Sequence, residues 1–199
     1  MGDTPDTANV ELEPELIRRA QAGDEAAFGE VVRNHYEPVF RRVVSILRNE
    51  HDARDVSQEI WVTVWRTLKD YRAEAKFSTW VYAIATRRAI DHLRKRQRWF
   101  SRFLPFLSNG ENGEVTIEPP SSAPDPREQM EASERDARFE RAIASLPPKL
   151  RAVLAMREIE GLSYEEIAET LDCRPGTVMS RLFNARRLLA QKLGDLPCE

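Results

Sequence analysis

At 199 residues, 41% hydrophobic and 32% charged, the chain can bury one core or two small ones, and its net charge of −3 hides a strong local separation of sign. Two cysteines without a CxxC (Cys173, Cys198) and three isolated histidines (His35, His51, His92) exclude a disulfide framework and a structural zinc site, and the thiols suit a reducing cytosol. An acidic N-terminus with no apolar centre, and no run near the roughly 18 apolar residues of a membrane span, exclude a signal peptide and membrane insertion.

The pattern is helical nearly throughout. Residues 14 to 22 predict a short helix ended by Gly23. Asp24 caps a second run to about Arg48, which Pro38 is expected to bend or restart. Asp52 opens a third helix to Asp70, and Ser78 caps a fourth that ends near Trp99. Pro105, Pro119, Pro120, Pro124 and Pro126, with the turns Asn109-Gly110 and Asn112-Gly113, then mark a linker that cannot bury a core. A second helical unit follows: a helix to Ser145, a Leu146-Pro147-Pro148 break, a helix to Ile159, and two more to Leu193. The expected architecture is all-α, two small helical domains (14–100 and 128–194) joined by a flexible, acidic, Pro-rich linker (101–127).

The last two helices carry the most specific local signal. Ser163-x-x-Glu166 is a capping box, and Asp172-Cys173-Arg174-Pro175-Gly176 breaks the chain before a second helix with Pro175 in its first turn. Val178, Leu182, Ala185, Leu189 and Leu193 form one core stripe. Arg174, Thr177, Ser180, Arg181, Asn184 and Arg187 fall off it. From Arg174 to Lys192 there are cations and no acids, as a helix entering a major groove requires. Cys173 in the turn reads as a small packed residue.

Two further helix faces stand out. On the third helix Val56, Ile60, Trp61, Val64 and Leu68 point inward, leaving Asp55, Gln58, Glu59, Val62 and Arg66 as a polar strip suited either to solvent or to protein docking. The fourth helix opens on Phe77, Trp80 and Tyr82 and continues into Arg87, Arg88, Arg94, Lys95, Arg96 and Arg98. Aromatic rings beside a cationic track can stack bases and neutralise phosphates. The same rings also suit a core, and composition leaves the two readings open.

The blocks DARDVSQEIWVTVWR, KFSTWVYAIATRRAIDHLRKRQR, LPPKLRAVLAMREIEGLSYEEIAETL and GTVMSRLFNAR, in this order, resemble bacterial RNA polymerase sigma factors of the extracytoplasmic-function (ECF) group, which keep only regions 2 and 4 of the sigma-70 family. The resemblance covers about residues 15 to 100 and 130 to 193. It implies a transcription initiation factor, not an enzyme, that binds core RNA polymerase through the clamp coiled coil of the largest subunit and through the flap. It implies promoter DNA and an anti-sigma factor as partners, with no cofactor, metal or small-molecule substrate.

The strip Asp55, Gln58, Glu59, Val62 and Arg66 matches the clamp-docking region. Tyr71, Lys76, Phe77, Ser78, Thr79, Trp80, Tyr82, Arg87, Arg88, Asp91, Arg94 and Lys95 fall in the part that melts and reads the minus-ten element, with base capture near the loop 71–77. Arg174, Thr177, Ser180, Arg181, Asn184 and Arg187 match the reader of the minus-thirty-five element. Met179 and Asn184 stand where the family commonly has cations, and Thr86-Arg87 where it commonly has Arg-Asn. The competing expectation is a stand-alone helix-turn-helix regulator, which leaves the first hundred residues unexplained.

Overall fold

The computed structural model describes the backbone of residues 7–107 and 126–194 and the side chains of 13–99 and 134–194. Among these residues the chain forms eight α-helices and one 3-10 turn. The first unit comprises α1 (Thr7–Gln21), α2 (Glu25–Leu47), α3 (Glu50–Thr67), the turn Leu68–Asp70 and α4 (Phe77–Leu107). The second comprises α5 (Pro126–Ala144), α6 (Pro148–Glu158), α7 (Tyr164–Thr170) and α8 (Pro175–Leu193). The Pro-rich segment expected between them falls largely on residues 108–125, outside the described residues.

Helix starts follow side-chain chemistry. The Asp24 carboxylate accepts from the Ala27 N–H and caps α2 as expected. Helix α3 begins earlier than expected: Asn49 is its N-cap, accepting from the Asp52 N–H at 2.8 Å. Asp52 is thereby released to reach across to α4, where it takes Arg96 Nη1 at 3.0 Å with His92 Nε2 at 3.6 Å. Pro38 does not restart α2. Asn34, the residue whose carbonyl loses its helical donor, lies exposed, where water can replace the bond. Helix α4 likewise runs on past Trp99 and through Pro105 to Leu107, a position in its last turn where a proline removes only one terminal bond. Ser78 is therefore inside α4 and not its cap.

In the second unit the capping box forms in full. Ser163 Oγ accepts from the Glu166 N–H at 3.1 Å, and the Glu166 carboxylate accepts from the Ser163 N–H at 2.8 Å. Asp172 takes the left-handed conformation (φ 48°) that ends α7 and turns the chain into α8. The bonds to Ser163 hold Glu166 below the usual carboxylate range, and Ala27 N–H and Arg19 do the same for Asp24. Both caps therefore stabilise fully above about pH 4.3 and lose that contribution as pH falls through the lowered values. Ser163→Ala is expected to lower stability by about 1 kcal/mol. An acid titration of helicity by circular dichroism should be less steep in Glu166→Gln, which keeps the acceptor but not the titration.

Each unit has its own apolar centre. Val39, Val43 and Ile46 of α2 meet Val56, Ile60 and Val64 of α3 and Val81, Ala85 and Ala89 of α4, all buried. Val153 and Met156 of α6 meet Ile167 of α7 and Val178, Leu182 and Ala185 of α8. The two centres join into a single buried cluster, because α6 lies against α2 and α4, and α7 lies against α4. Two buried arginines cross this seam. Arg151 of α6 donates Nη2 to the Leu47 carbonyl at 2.5 Å, and burial pulls its pKa down to about 10. Arg42 of α2 pairs with Glu160, Nε to Oε2 at 2.8 Å. Arg48 and Glu140 add a third, more exposed pair.

Candidate nucleic-acid interface

Asp55, Gln58, Glu59, Val62 and Arg66 are all exposed along one strip of α3, while Val56, Ile60, Trp61 and Val64 beneath them are buried. Val62, 50% exposed, is an apolar side chain in the middle of a polar strip. The strip borders a cleft of about 570 Å³ whose far wall is α4, lined by Glu59 on one side and Arg88, Asp91 and Lys95 on the other. Arg88 spans the two helices, donating Nη2 to Thr63 Oγ1 at 2.9 Å.

Side-chain hydrogen bonds tie down the loop before α4. Gln21 donates its amide to both the Leu68 and Tyr71 carbonyls, at 3.0 and 2.8 Å. The Tyr71 hydroxyl donates to the Ala75 carbonyl at 2.7 Å, and Ala73 sits at φ 58°. Burial raises the Tyr71 pKa, so the phenol stays a proton donor at neutral pH. Tyr71, Phe77 and Trp80 form one ring cluster with centroids 5.3 to 5.8 Å apart.

Within that cluster the roles divide. Phe77 is 3% exposed and supports the loop from below, so it does not offer a face for stacking. Tyr71, Ser78, Thr79, Trp80 and Tyr82 are half-buried at the surface, and Lys76 is exposed beside them. Arg72, also exposed in the loop, lies at the same edge and has no periodicity signal that would single it out in sequence. Further along α4, Arg87 and Lys95 are exposed, and Asp91 pairs with Arg94 at 3.4 Å. Thr86 is fully buried, its hydroxyl donating to the Tyr82 carbonyl at 2.8 Å, so this departure from the family pattern is a core residue and not a surface contact.

On α8, Arg174, Ser180 and Arg187 are exposed and Thr177, Arg181 and Asn184 half-buried, on the side away from Val178, Leu182 and Ala185. Arg181 Nη1 lies 3.8 Å from Cys173 Sγ, which places the half-buried thiol against the recognition helix. Arg186 turns the other way and pairs with Glu158 of α6 at 2.6 Å, fixing α8 to the core. Two large apolar side chains sit among the polar ones on the outward side, Met179 at 52% and Phe183 at 68% exposure. The expected site residues omit both.

The model of sigma-70 region 2 matches residues 31–99, and that of sigma-70 region 4 matches residues 136–189. The chain is 34% identical over 192 residues to the RNA polymerase sigma-H factor of Pseudomonas aeruginosa, covering 94% of this chain and 96% of that protein. It is 35% identical over 184 residues to the ECF RNA polymerase sigma-E factor of Escherichia coli K12, covering 91% and 94%. Two solved structures share the fold. One is CnrH in complex with the cytosolic domain of CnrY, with TM-score 0.55, 22% identity and 91% of this chain and 96% of that one covered. The other is the Bartonella quintana sigma factor RpoE in complex with the anti-sigma factor NepR, with TM-score 0.55, 20% identity and 83% and 96% covered. Two family regions in order, and relatives matched along nearly their whole length, establish that the chain belongs to the ECF group of the sigma-70 family and is an RNA polymerase sigma factor.

Proposed function

We propose that this sigma factor binds core RNA polymerase through the α3 strip, directs it to a promoter of two separated elements, and helps melt the start region. In this reading residues 14–100 form the polymerase-binding and minus-ten unit, 101–127 the linker, and 128–194 the minus-thirty-five unit. The observation that carries it is the division of surfaces. A mixed polar and apolar strip lies on α3, an aromatic edge with cations lies on α4, and a cationic recognition helix lies on the other unit. A stand-alone duplex binder needs only the last of these.

The chemistry at each surface follows. The pre-shaped loop 71–76 provides a rigid rim into which an unstacked base can turn, while Trp80 and Tyr82 offer ring edges and Lys76 a cation for the backbone. Base extrusion costs a few kcal/mol, which favours weakly stacked steps. On α8, Arg174 and Arg187 reach phosphates, while Ser180, Arg181 and Asn184 face base edges. The protein works in the cytoplasm, where polymerase is, and no described helix is long and apolar enough to cross a membrane. Since CnrH and the Bartonella RpoE were each solved with a partner, and NepR is an anti-sigma factor, an anti-sigma partner is proposed for this chain as well.

Transcription from fragmented genomic DNA with core polymerase, with and without the protein, tests the reading. New RNA 5′ ends sharing two upstream elements at fixed spacing support it. Absence of new ends together with absence of co-elution with core polymerase rejects it. On a promoter so identified, Arg187→Ala is expected to weaken holoenzyme binding evenly across sequences and to reduce the slope of log K against log salt by about 1. Asn184→Ala instead is expected to relax the preference at one base pair by about 1–3 kcal/mol.

A further inference from the structure

Helices α2, α5, α6 and α8 border a cavity of about 430 Å³. Its walls are largely apolar: Phe139 and Ile143 of α5, Leu154 and Ala155 of α6 with Ile159 at that helix's end, and Leu189 of α8. Such a size and lining suit a small molecule, which is held by an apolar body and a few polar anchors. Three arginines, Arg48, Arg151 and Arg186, line the same cavity, and they differ in what they hold.

Arg48 is paired with Glu140, and Arg186 with Glu158. Arg151, 6% exposed, is paired with no carboxylate among the described residues. Glu140 acts on it from a distance and is already held by Arg48. The Arg151 guanidinium donates Nη2 to the Leu47 carbonyl, and its Nε has no partner. Burial lowers its pKa to about 10, so it still carries its charge at neutral pH. A buried charge without a counter-charge is costly, and a paired anion relieves that cost. No described residue supplies the anion, and the cavity beside Arg151 can admit one.

The charge count narrows the ligand. The two other arginines are balanced by their own acids, so one positive charge at the cavity is left uncompensated. A head with a single negative charge balances it, whereas a polyphosphate would bring several. A carboxylate also matches the fork of a guanidinium. The depth of Arg151 favours a slender ligand, because a protein carboxylate on its short stem would bring bulky backbone into the same space. We propose that the cavity binds a single-chain amphipathic carboxylate of the medium-chain fatty-acid class. Its head sits on Arg151 and its chain lies along Phe139, Ile143, Leu154 and Leu189.

Titration calorimetry of the full chain with decanoate and with decanol, the same hydrocarbon without the charge, tests this. Decanoate is expected to bind one to one and about tenfold tighter than decanol, the scale of one charge-assisted hydrogen bond. Arg151→Met, with its helical signal intact, should erase that preference and keep decanol binding. Phe139→Glu, at a 44% exposed side chain where folding is not at issue, places an acid at the cavity. It should weaken decanoate about tenfold and decanol by less. Decanoate binding that is absent, fails to saturate or merely equals that of decanol would overturn the proposal, as would an undiminished preference in Arg151→Met. Without decanoate binding, self-association of the parent that Phe139→Glu abolishes would give the face to a second copy. Loss of co-elution with core polymerase in Phe139→Glu, again without decanoate binding, would give it to the polymerase.

Discussion

Co-elution with core RNA polymerase is expected to be lost when Asp55 and Glu59 are both replaced by lysine, with the melting temperature nearly unchanged. Both residues are exposed on α3, one turn apart, and neither side chain supports the core beneath. Surface substitutions of this kind shift stability by about 0.5 kcal/mol or less. Placing two cations where a partner presents complementary charge costs several kcal/mol of association, so a loss of about a hundredfold or more is the expected scale. Size-exclusion chromatography with purified core polymerase reads it directly. Retained co-elution would remove this strip from the interface and direct attention to the cleft wall formed by α4. Val62→Ala is the milder companion, a test of whether the exposed apolar centre of the strip is buried in the complex.

The second large effect is on stability. Ile60 is fully buried in the middle of α3, against the buried faces of α2 and α4. Ile60→Ala removes three carbons from a packed centre and is expected to destabilise by about 2–5 kcal/mol. For a unit of about ninety residues each kcal/mol shifts the midpoint by roughly 4–8 °C, so a fall of about 8 °C or more is expected in thermal circular dichroism. A shift under a few degrees would mean that the site collapses around the smaller residue. It would also mean that α3 contributes less to the core than its burial implies.

How far the sequence alone reached depends on the range of each determinant. The helix-turn-helix was legible to within a residue because its signals are local: Ser163 with Glu166, the Asp172 turn, and Pro175 at the start of α8. The outward strip on α3 was legible because period alone separates Asp55 and Glu59 from Val56 and Ile60. The start of α3 was misplaced because Asn49 and Asp52 are both good caps, and only the reach of Asp52 to Arg96 decides between them. Phe77 was expected among the minus-ten residues by resemblance, and its depth makes it a core residue, while Trp80 and Tyr82, open between core and stacking, lie half-buried. The seam was not legible at all. Arg42 and Arg151 look like ordinary surface cations on amphipathic helices, and their burial depends on a unit more than a hundred residues away in the chain.

The length of α4 has a further consequence, for reach. Its 31 residues make a rod of about 46 Å that carries the chain from the loop 71–76 to Leu107 without a hinge among its helical residues. From residue 108 to residue 125 the covalent chain can span at most about 60 Å even if drawn straight. The rod fixes where this tether is anchored and the tether caps how far α5 can travel from that anchor. Should the two units read separate promoter elements as proposed, the rod and tether together set an upper bound on the spacing, which shortening residues 108–125 would lower and lengthening them would relax.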